Sequence, residues 1–267
     1  MWKDAVFNTQ IQNQVELSTV GDLLPLSTEE LPNSRYNRHG FTCTGLAYDE
    51  IEDCLWVGNA GLEYPGDSRS HPSLVKMTKN NSIINEVDAF VVEAETKNKD
   101  LQGIAFDSKD NVLWVSLGGR LLCVTKDGHL IKKIQIADST FKVNGIAYDK
   151  RNDTLWILGA TDYLLNITKS GEVLSRIPCD IRGQDQLTFS PKGQLYITAG
   201  IDYHGRNNYL YEFNENSEVI RAKYRLIDSF AVEGCCFIGD KLYVMNDGYY
   251  HNAMRKKNEV FIYSLSE

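Results

Sequence analysis

The chain has 267 residues, 42% apolar and 24% charged, with a formal net charge of −8; this is the balance of a globular protein, within the size of one all-β domain. The acidic excess argues against a nucleic-acid or anionic-membrane partner, since basic residues supply that affinity. No run approaches the roughly 18 apolar residues of a membrane-spanning helix, and "MWKDAVFNTQIQNQVELS" at the start lacks the apolar core of a secretory signal.

In chain order, residues 1–42 come first. A strand is expected within Ala5–Leu17, followed by the long polar stretch "TVGDLLPLSTEELPNSRYNRHGF". From Thr44 onward one phrase recurs: "TGLAYDEIEDCLWVGNAG", "QGIAFDSKDNVLWVSLGG", "NGIAYDKRNDTLWILGAT", "DQLTFSPKGQLYITAGI" and "EGCCFIGDKLYVMNDG". Each copy opens with a short apolar strand, turns through polar residues, and returns as a Leu-aromatic strand (Leu55-Trp56, Leu113-Trp114, Leu155-Trp156, Leu195-Tyr196, Leu242-Tyr243). A second hairpin follows in the first four copies: "SLVKMTKNNSII", "RLLCVTKDGHLI", "YLLNITKSGEVL" and "YLYEFNENSEVI". Asp127-Gly128 and Ser170-Gly171 mark two of its tight turns. The fifth copy ends after "EVFIYSLS".

Four short strands repeated every 40–50 residues or so describe a β-propeller. The expected fold is all-β, a single propeller spanning residues 1–267, with five four-stranded blades, or six if residues 1–40 hold a degenerate unit. The fifth copy lacks its outer strand, so an N-terminal strand would complete it and close the ring, removing an exposed edge. The remainder of 1–42 would cover the active face, bringing Arg35, Arg38 and His39 near the channel mouth. The six cysteines (Cys43, Cys54, Cys123, Cys179, Cys235, Cys236) form no CxxC pair. They read as free thiols in a reducing compartment, hence a cytoplasmic location.

What changes between copies is the residue before each first-strand Gly: Thr44, Gln102, Asn144, Asp185 and Glu233. In a propeller these sit at the channel mouth, and all carry oxygen. Two carboxylates facing across a narrow opening need a cation, a proton or a ligand between them. A hard cation such as Ca²⁺ suits such donors. The alternative is that these residues merely hydrogen-bond turns.

With these phrases the chain resembles the propeller superfamily of gluconolactonase and senescence-marker-like lactonases, and also the bacterial SdiA-regulated propellers. "NGIAYDKRNDTLWILGATD", "QDQLTFSPKGQLYITAG" and "VEGCCFIGDKLYVMND" are similar to the lactonase Asn, Asp and Glu motifs. The resemblance implies a divalent metal, Ca²⁺ or Zn²⁺, on Asn144, Asp185 and Glu233, with Gln102 where a substrate-contacting Asn often stands. Asp185 departs from the pattern in being followed by Gln186 rather than Gly. Membership in the SdiA-regulated group implies no reaction.

Three connections on the mouth face are long: Asn59–Ser73, Ile201–Asn208 and Asn246–Asn258; those of the second and third copies are "GGR" and "ATD". One side of the mouth is therefore expected to be walled. Tyr203, Tyr249 and Tyr250 offer aromatic faces to a small polar molecule, and Arg120 and Arg206 would grip a carboxylate or phosphate. His204 and His251 are candidate bases. The same residues equally fit a protein contact or a solvated surface. No GxSxG, HExxH, P-loop or GxGxxG motif occurs. The expected function is metal-assisted hydrolysis of a lactone or ester, with Asp185, His204 and His251 catalytic and a small polar molecule (sugar acid, lactone or ester) as the partner. The alternative is a non-catalytic propeller that binds a ligand or a protein partner.

Overall fold

A computed structural model of the chain describes residues 19–32, 43–60, 72–88, 101–137, 141–200, 208–214, 216–246 and 258–265. Strands β1 (Gly21–Leu23) and β2 (Pro25–Glu30) come first. Blade 1 follows with β3 (Cys43–Asp49), β4 (Cys54–Asn59), β5 (Ser73–Met77) and β6 (Ile83–Asp88). Blade 2 has β7 (Leu101–Asp107), β8 (Val112–Leu117), β9 (Arg120–Val124) and β10 (Leu130–Ile134). Blade 3 has β11 (Val143–Asp149), β12 (Thr154–Gly159), β13 (Tyr163–Ile167) and β14 (Val173–Pro178). Blade 4 has β15 (Gln184–Phe189), β16 (Leu195–Gly200), β17 (Asn208–Phe213) and β18 (Ile220–Leu226). Blade 5 has β19 (Val232–Ile238), β20 (Lys241–Asn246) and β21 (Glu259–Ser264).

The inner strands β3, β7, β11, β15 and β19 touch in sequence and close back on β3, so the molecule is a five-bladed propeller. Burial follows from that ring. Second strands lie between two neighbouring blades, so every residue of β4 and of β12 is buried. The edge strands β2 and β14 have one solvated face and alternate half-buried with exposed residues. The five apolar clusters lie between successive blades, for example Trp56 with Ile104 and Leu122 between blades 1 and 2.

Close approach of the inner strands explains the recurrent Gly. A Cβ on Gly103 would lie 2.4 Å from the Asn144 carbonyl oxygen, and one on Gly45 would lie 2.5 Å from that of Gln102. On the face opposite the mouth, Asp49 and Asp107 each cap the first hairpin by accepting two backbone N–H bonds. Each also accepts the indole N–H of its own blade's tryptophan, Trp56 at 3.3 Å or Trp114 at 3.1 Å. A lysine from the next blade completes each cluster: Lys126 Nζ is 2.6 Å from Asp49, and Lys169 Nζ is 2.6 Å from Asp107. The "TK" of the second hairpin is thus a tie between blades in blades 2 and 3, whereas Lys79 of blade 1 pairs with Asp53 of its own blade.

The ring is closed by an N-terminal strand, as expected, but from a different segment. Pro25–Glu30 pairs antiparallel with β21 as the fourth strand of blade 5. Ala5–Leu17 lies outside the described residues. Gly21–Leu23 adds to blade 4 in parallel beside β18 as a fifth strand. Residues 19–32 therefore serve two blade edges, and no sixth sheet occurs among the described residues. The part of the expected cover that remains, with Arg35, Arg38 and His39, is outside them too. All six cysteines are buried and none forms a disulfide. Among the described residues no helix is long and apolar enough to cross a membrane.

Candidate functional site at the channel mouth

Every inner strand is irregular where it begins. Pairing slips between Cys43 and Gly45, Leu101 and Ile104, Val143 and Gly145, Gln184 and Leu187, and Val232 and Cys235. Thr44, Gln102, Asn144, Asp185 and Glu233 all fall within these bulges. A bulge leaves its extra residue unpaired and re-aims the side chain. The five variable residues are thus released from the blade faces at the same level of the ring.

They do not behave alike. Thr44 is buried and its hydroxyl donates to the Leu101 carbonyl, which ties blade 1 to blade 2 and commits the group to structure. Ser116 and Thr198 make comparable ties from second strands, to the carbonyls of Val143 and of Glu233, the latter at 3.1 Å. Gln102, Asn144 and Asp185 are half-buried, and Glu233 is buried. Asn144, Asp185 and Glu233 occupy equivalent bulges of three consecutive blades, so the ring brings the expected trio to one arc of the mouth. Asp185 lies close enough to Cys235 to reinforce burial in pushing that thiol up to about 12.

Sequence reasoning missed Gln186. It stands where the other four blades have Gly, is 1% exposed, and its Nε2 donates to the Thr44 carbonyl at 3.2 Å. Thr44 belongs to blade 1, which is not a neighbour of blade 4, so this side chain spans the axis beneath the mouth. A Cβ on Gly103 of blade 2 would come within 3.1 Å of the same nitrogen. The signal was the single break in the x-Gly pattern. At the far end of the axis, Lys150 of blade 3 reaches Glu50 of blade 1 at 2.5 Å. That hydrogen bond, with help from Ser108 of blade 2, holds the Glu50 carboxyl below its ordinary range. Two side-chain links thus join non-adjacent blades, Gln186 to Thr44 beneath the mouth and Lys150 to Glu50 at the other end.

Arg120 is exposed at the start of β9, after the tight turn through Gly118 and Gly119, on the side where connections are short. Tyr203, His204, Arg206, Tyr249, Tyr250 and His251 lie outside the described residues. The cluster Asp49, Glu52 and Cys54 has metal-like spacing but sits on the opposite face. Lys126 Nζ fills it, 2.6 Å from Asp49 and 2.8 Å from Glu52.

No known protein family's profile matches the chain, and no curated protein matches it in sequence. Solved structures do match. Glutaminyl cyclase of Myxococcus xanthus superposes with a TM-score of 0.63 at 9% identity, over 93% of this chain and 100% of that one. A luciferin-regenerating enzyme gives 0.55 at 14% identity, over 90% and 95%. Hydrazine synthase of Kuenenia stuttgartiensis gives 0.50 at 13%, over 80% of this chain and 57% of that one. At such identities the likeness establishes the propeller fold alone. It does not by itself place the chain in the gluconolactonase or the SdiA-regulated family.

Proposed function

We propose that the channel mouth binds a small polar molecule and hydrolyses a lactone or ester with a divalent cation on Asn144, Asp185 and Glu233. The observation that carries this reading is the placement of one carboxamide and two carboxylates on equivalent bulges of consecutive blades, above a floor formed by Gln186. An all-oxygen donor set fits a hard ion such as Ca²⁺ better than Zn²⁺, and three protein ligands leave room for substrate. When bound, such an ion polarises a carbonyl oxygen and acidifies water. Gln102, on the next bulge, orients the substrate, and Arg120 and Arg206 hold an anionic end. Tyr203, Tyr249 and Tyr250 shield the bound molecule. Asp185, or His204 or His251 from the connections, accepts the proton of the attacking water. The buried cysteines, none of them in a disulfide, support a cytoplasmic setting.

A second reading takes its substrate class from the name of one neighbour of the same fold, glutaminyl cyclase. In it the same two carboxylates receive an ammonium group, and the substrate is an amino-terminal glutamine. Elemental analysis and thermal shift on wild type and on the Asp185→Asn/Glu233→Gln double variant separate the readings. One equivalent of metal lost in the variant, with lactone turnover, supports the first. A metal-free protein that cyclises a glutaminyl peptide supports the second. A metal-free protein that turns over neither is a binding propeller.

A further inference from the structure

Opposite the five bulges, on the second strands, stand Gly58, Ser116, Leu158, Thr198 and Met245. Gly58, Leu158 and Met245 have no hydroxyl or amide side chain to offer. Ser116 gives its hydroxyl to the Val143 carbonyl of the next blade. Thr198 gathers more. It is fully buried. Its Oγ1 accepts from the Gln186 N–H at 3.3 Å and lies 3.3 Å from the Gln186 carbonyl oxygen. Across the joint the hydroxyl donates to the Glu233 carbonyl at 3.1 Å, with Cys235 Sγ 3.9 Å away. A hydroxyl has one proton, and the shorter oxygen contact, to Glu233, takes it. The result is a relay from the Gln186 N–H through Thr198 Oγ1 to the Glu233 carbonyl.

Both ends of that relay belong to the mouth carboxylates. The bulge that releases Asp185 takes the neighbouring Gln186 N–H out of the strand ladder, and Thr198 receives it. Glu233 lies in the bulge of β19, and its own carbonyl is the other end. The Cα atoms of Asp185 and Glu233 each stand within one peptide unit of an atom that Thr198 touches, so they lie within about 11 Å of each other. The Gln186 side chain is fixed as well, by its bond to Thr44, so the segment that carries Asp185 is held at two points. Gly200, two residues beyond Thr198, lets blades 4 and 5 close at the same level: a Cβ there would stand 2.5 Å from the Val232 carbonyl oxygen. The backbone of one carboxylate residue cannot shift against that of the other without stretching a bond to this hydroxyl.

We infer that Thr198 is a positioning residue: it sets the separation of Asp185 and Glu233 and, through it, the fit of the mouth to a divalent cation. It touches neither ion nor substrate. Groups that orient metal ligands change metal affinity by about 10–100-fold when they are lost. The effect on affinity rests on the reading of the mouth as a cation site; the effect on carboxylate geometry does not.

Thr198→Val keeps the shape and removes both donor and acceptor, whereas Thr198→Ser keeps both. Ca²⁺ binding to the full-length protein is measured by titration calorimetry, with Lys169→Met as a control that loosens the ring at the far face. Thr198→Val should bind Ca²⁺ about ten- to hundredfold more weakly than wild type, while Thr198→Ser and Lys169→Met should match wild type. Unchanged affinity in Thr198→Val overturns the inference. So does an equal loss in Lys169→Met, which would reduce the effect to loosening, or in Thr198→Ser, which would acquit the hydroxyl. If wild type binds no Ca²⁺, the cation reading fails and crystal structures carry the test. The distance between the Asp185 and Glu233 carboxylates should then change by about 1 Å in Thr198→Val and stay as in wild type in Thr198→Ser; an unchanged distance in Thr198→Val overturns the inference. Thr198→Ala replaces Thr198→Val in both measurements if the latter does not fold.

Discussion

Replacing Lys169 by Met tests whether the lysine ties hold the ring. Lys169 Nζ lies 2.6 Å from Asp107 and 3.0 Å from Asp110, and it also touches Asp153. Burial disfavours its charge, but hydrogen bonds to Asp107, Asp153 and Asp110 outweigh that and raise its pKa. Met keeps most of the stem and removes the charge. Asp107 would then be a fully buried carboxylate without a cation. Stripping a partner from a buried pair costs about 3–5 kcal/mol. Asp107 retains three donors, the N–H groups of Lys109 and Asp110 and the indole of Trp114. The expected cost is therefore lower, about 2 kcal/mol. For a chain of this size that is a Tm drop of about 4–8 °C. Calorimetry at low and high salt is the assay. Salt should change the loss little, because the pair is shielded from solvent. Lys109→Met is the control. Lys109 is itself exposed and its partner Asp153 half-buried, and such solvent-facing pairs contribute under about 1 kcal/mol. A Lys169→Met melt within a degree of wild type, or equal to that of Lys109→Met, would refute the reasoning.

The same face sets the acid limit. Hydrogen bonds from Lys126 and Lys76 hold Glu52 down to about 2, against an ordinary 4.5. A depressed folded-state pKa gives stability that is present above the unfolded value and lost as pH falls through the folded one. Urea midpoints should therefore fall between about pH 4.5 and 2, and Glu52→Gln should flatten that fall. Burial first, with weaker carboxylate effects, pushes the Cys54 thiol to about 11 and those of Cys179 and Cys235 to about 12. A thiol reagent at pH 8 should find no reactive cysteine in the native protein and six after unfolding. Gly103→Ala forces a methyl against the Asn144 carbonyl and should cost about 1–3 kcal/mol, read as a lower urea midpoint; an unchanged midpoint would mean that the inner strands can part. Deleting residues 1–32 removes β1 and β2 and exposes the β21 edge, so gel filtration should show aggregation.

The blade count, the four-strand unit and the inner-strand Gly were legible because each copy solves the same packing problem with the same residues. Trp56 and Trp114 recur since each must fill the gap between blades and reach its own Asp. The closing strand was misplaced for a physical reason. Pro25–Glu30, "PLSTEE", lies at an edge with one solvated face. Half its residues can be polar, and its first position tolerates Pro. It therefore carries little of a strand's signature.

The mouth was half legible. Its variable residues announced themselves by breaking an otherwise constant phrase, but their bulges did not. A bulge is a mismatch between two strands, and neither strand's residues record it alone. Whether Thr44 faces ligand or neighbour depends on the Leu101 carbonyl, 57 residues away. Gln186 reaches Thr44 across 142 residues, and Thr198 reaches the Glu233 carbonyl only because adjacent blades pack together. The sequence by itself determined the repeat and hence the ring, because burial on both faces of each blade dictates residue type position by position. The tertiary structure alone decided which polar groups share a space, because in a closed ring those neighbours belong to different copies.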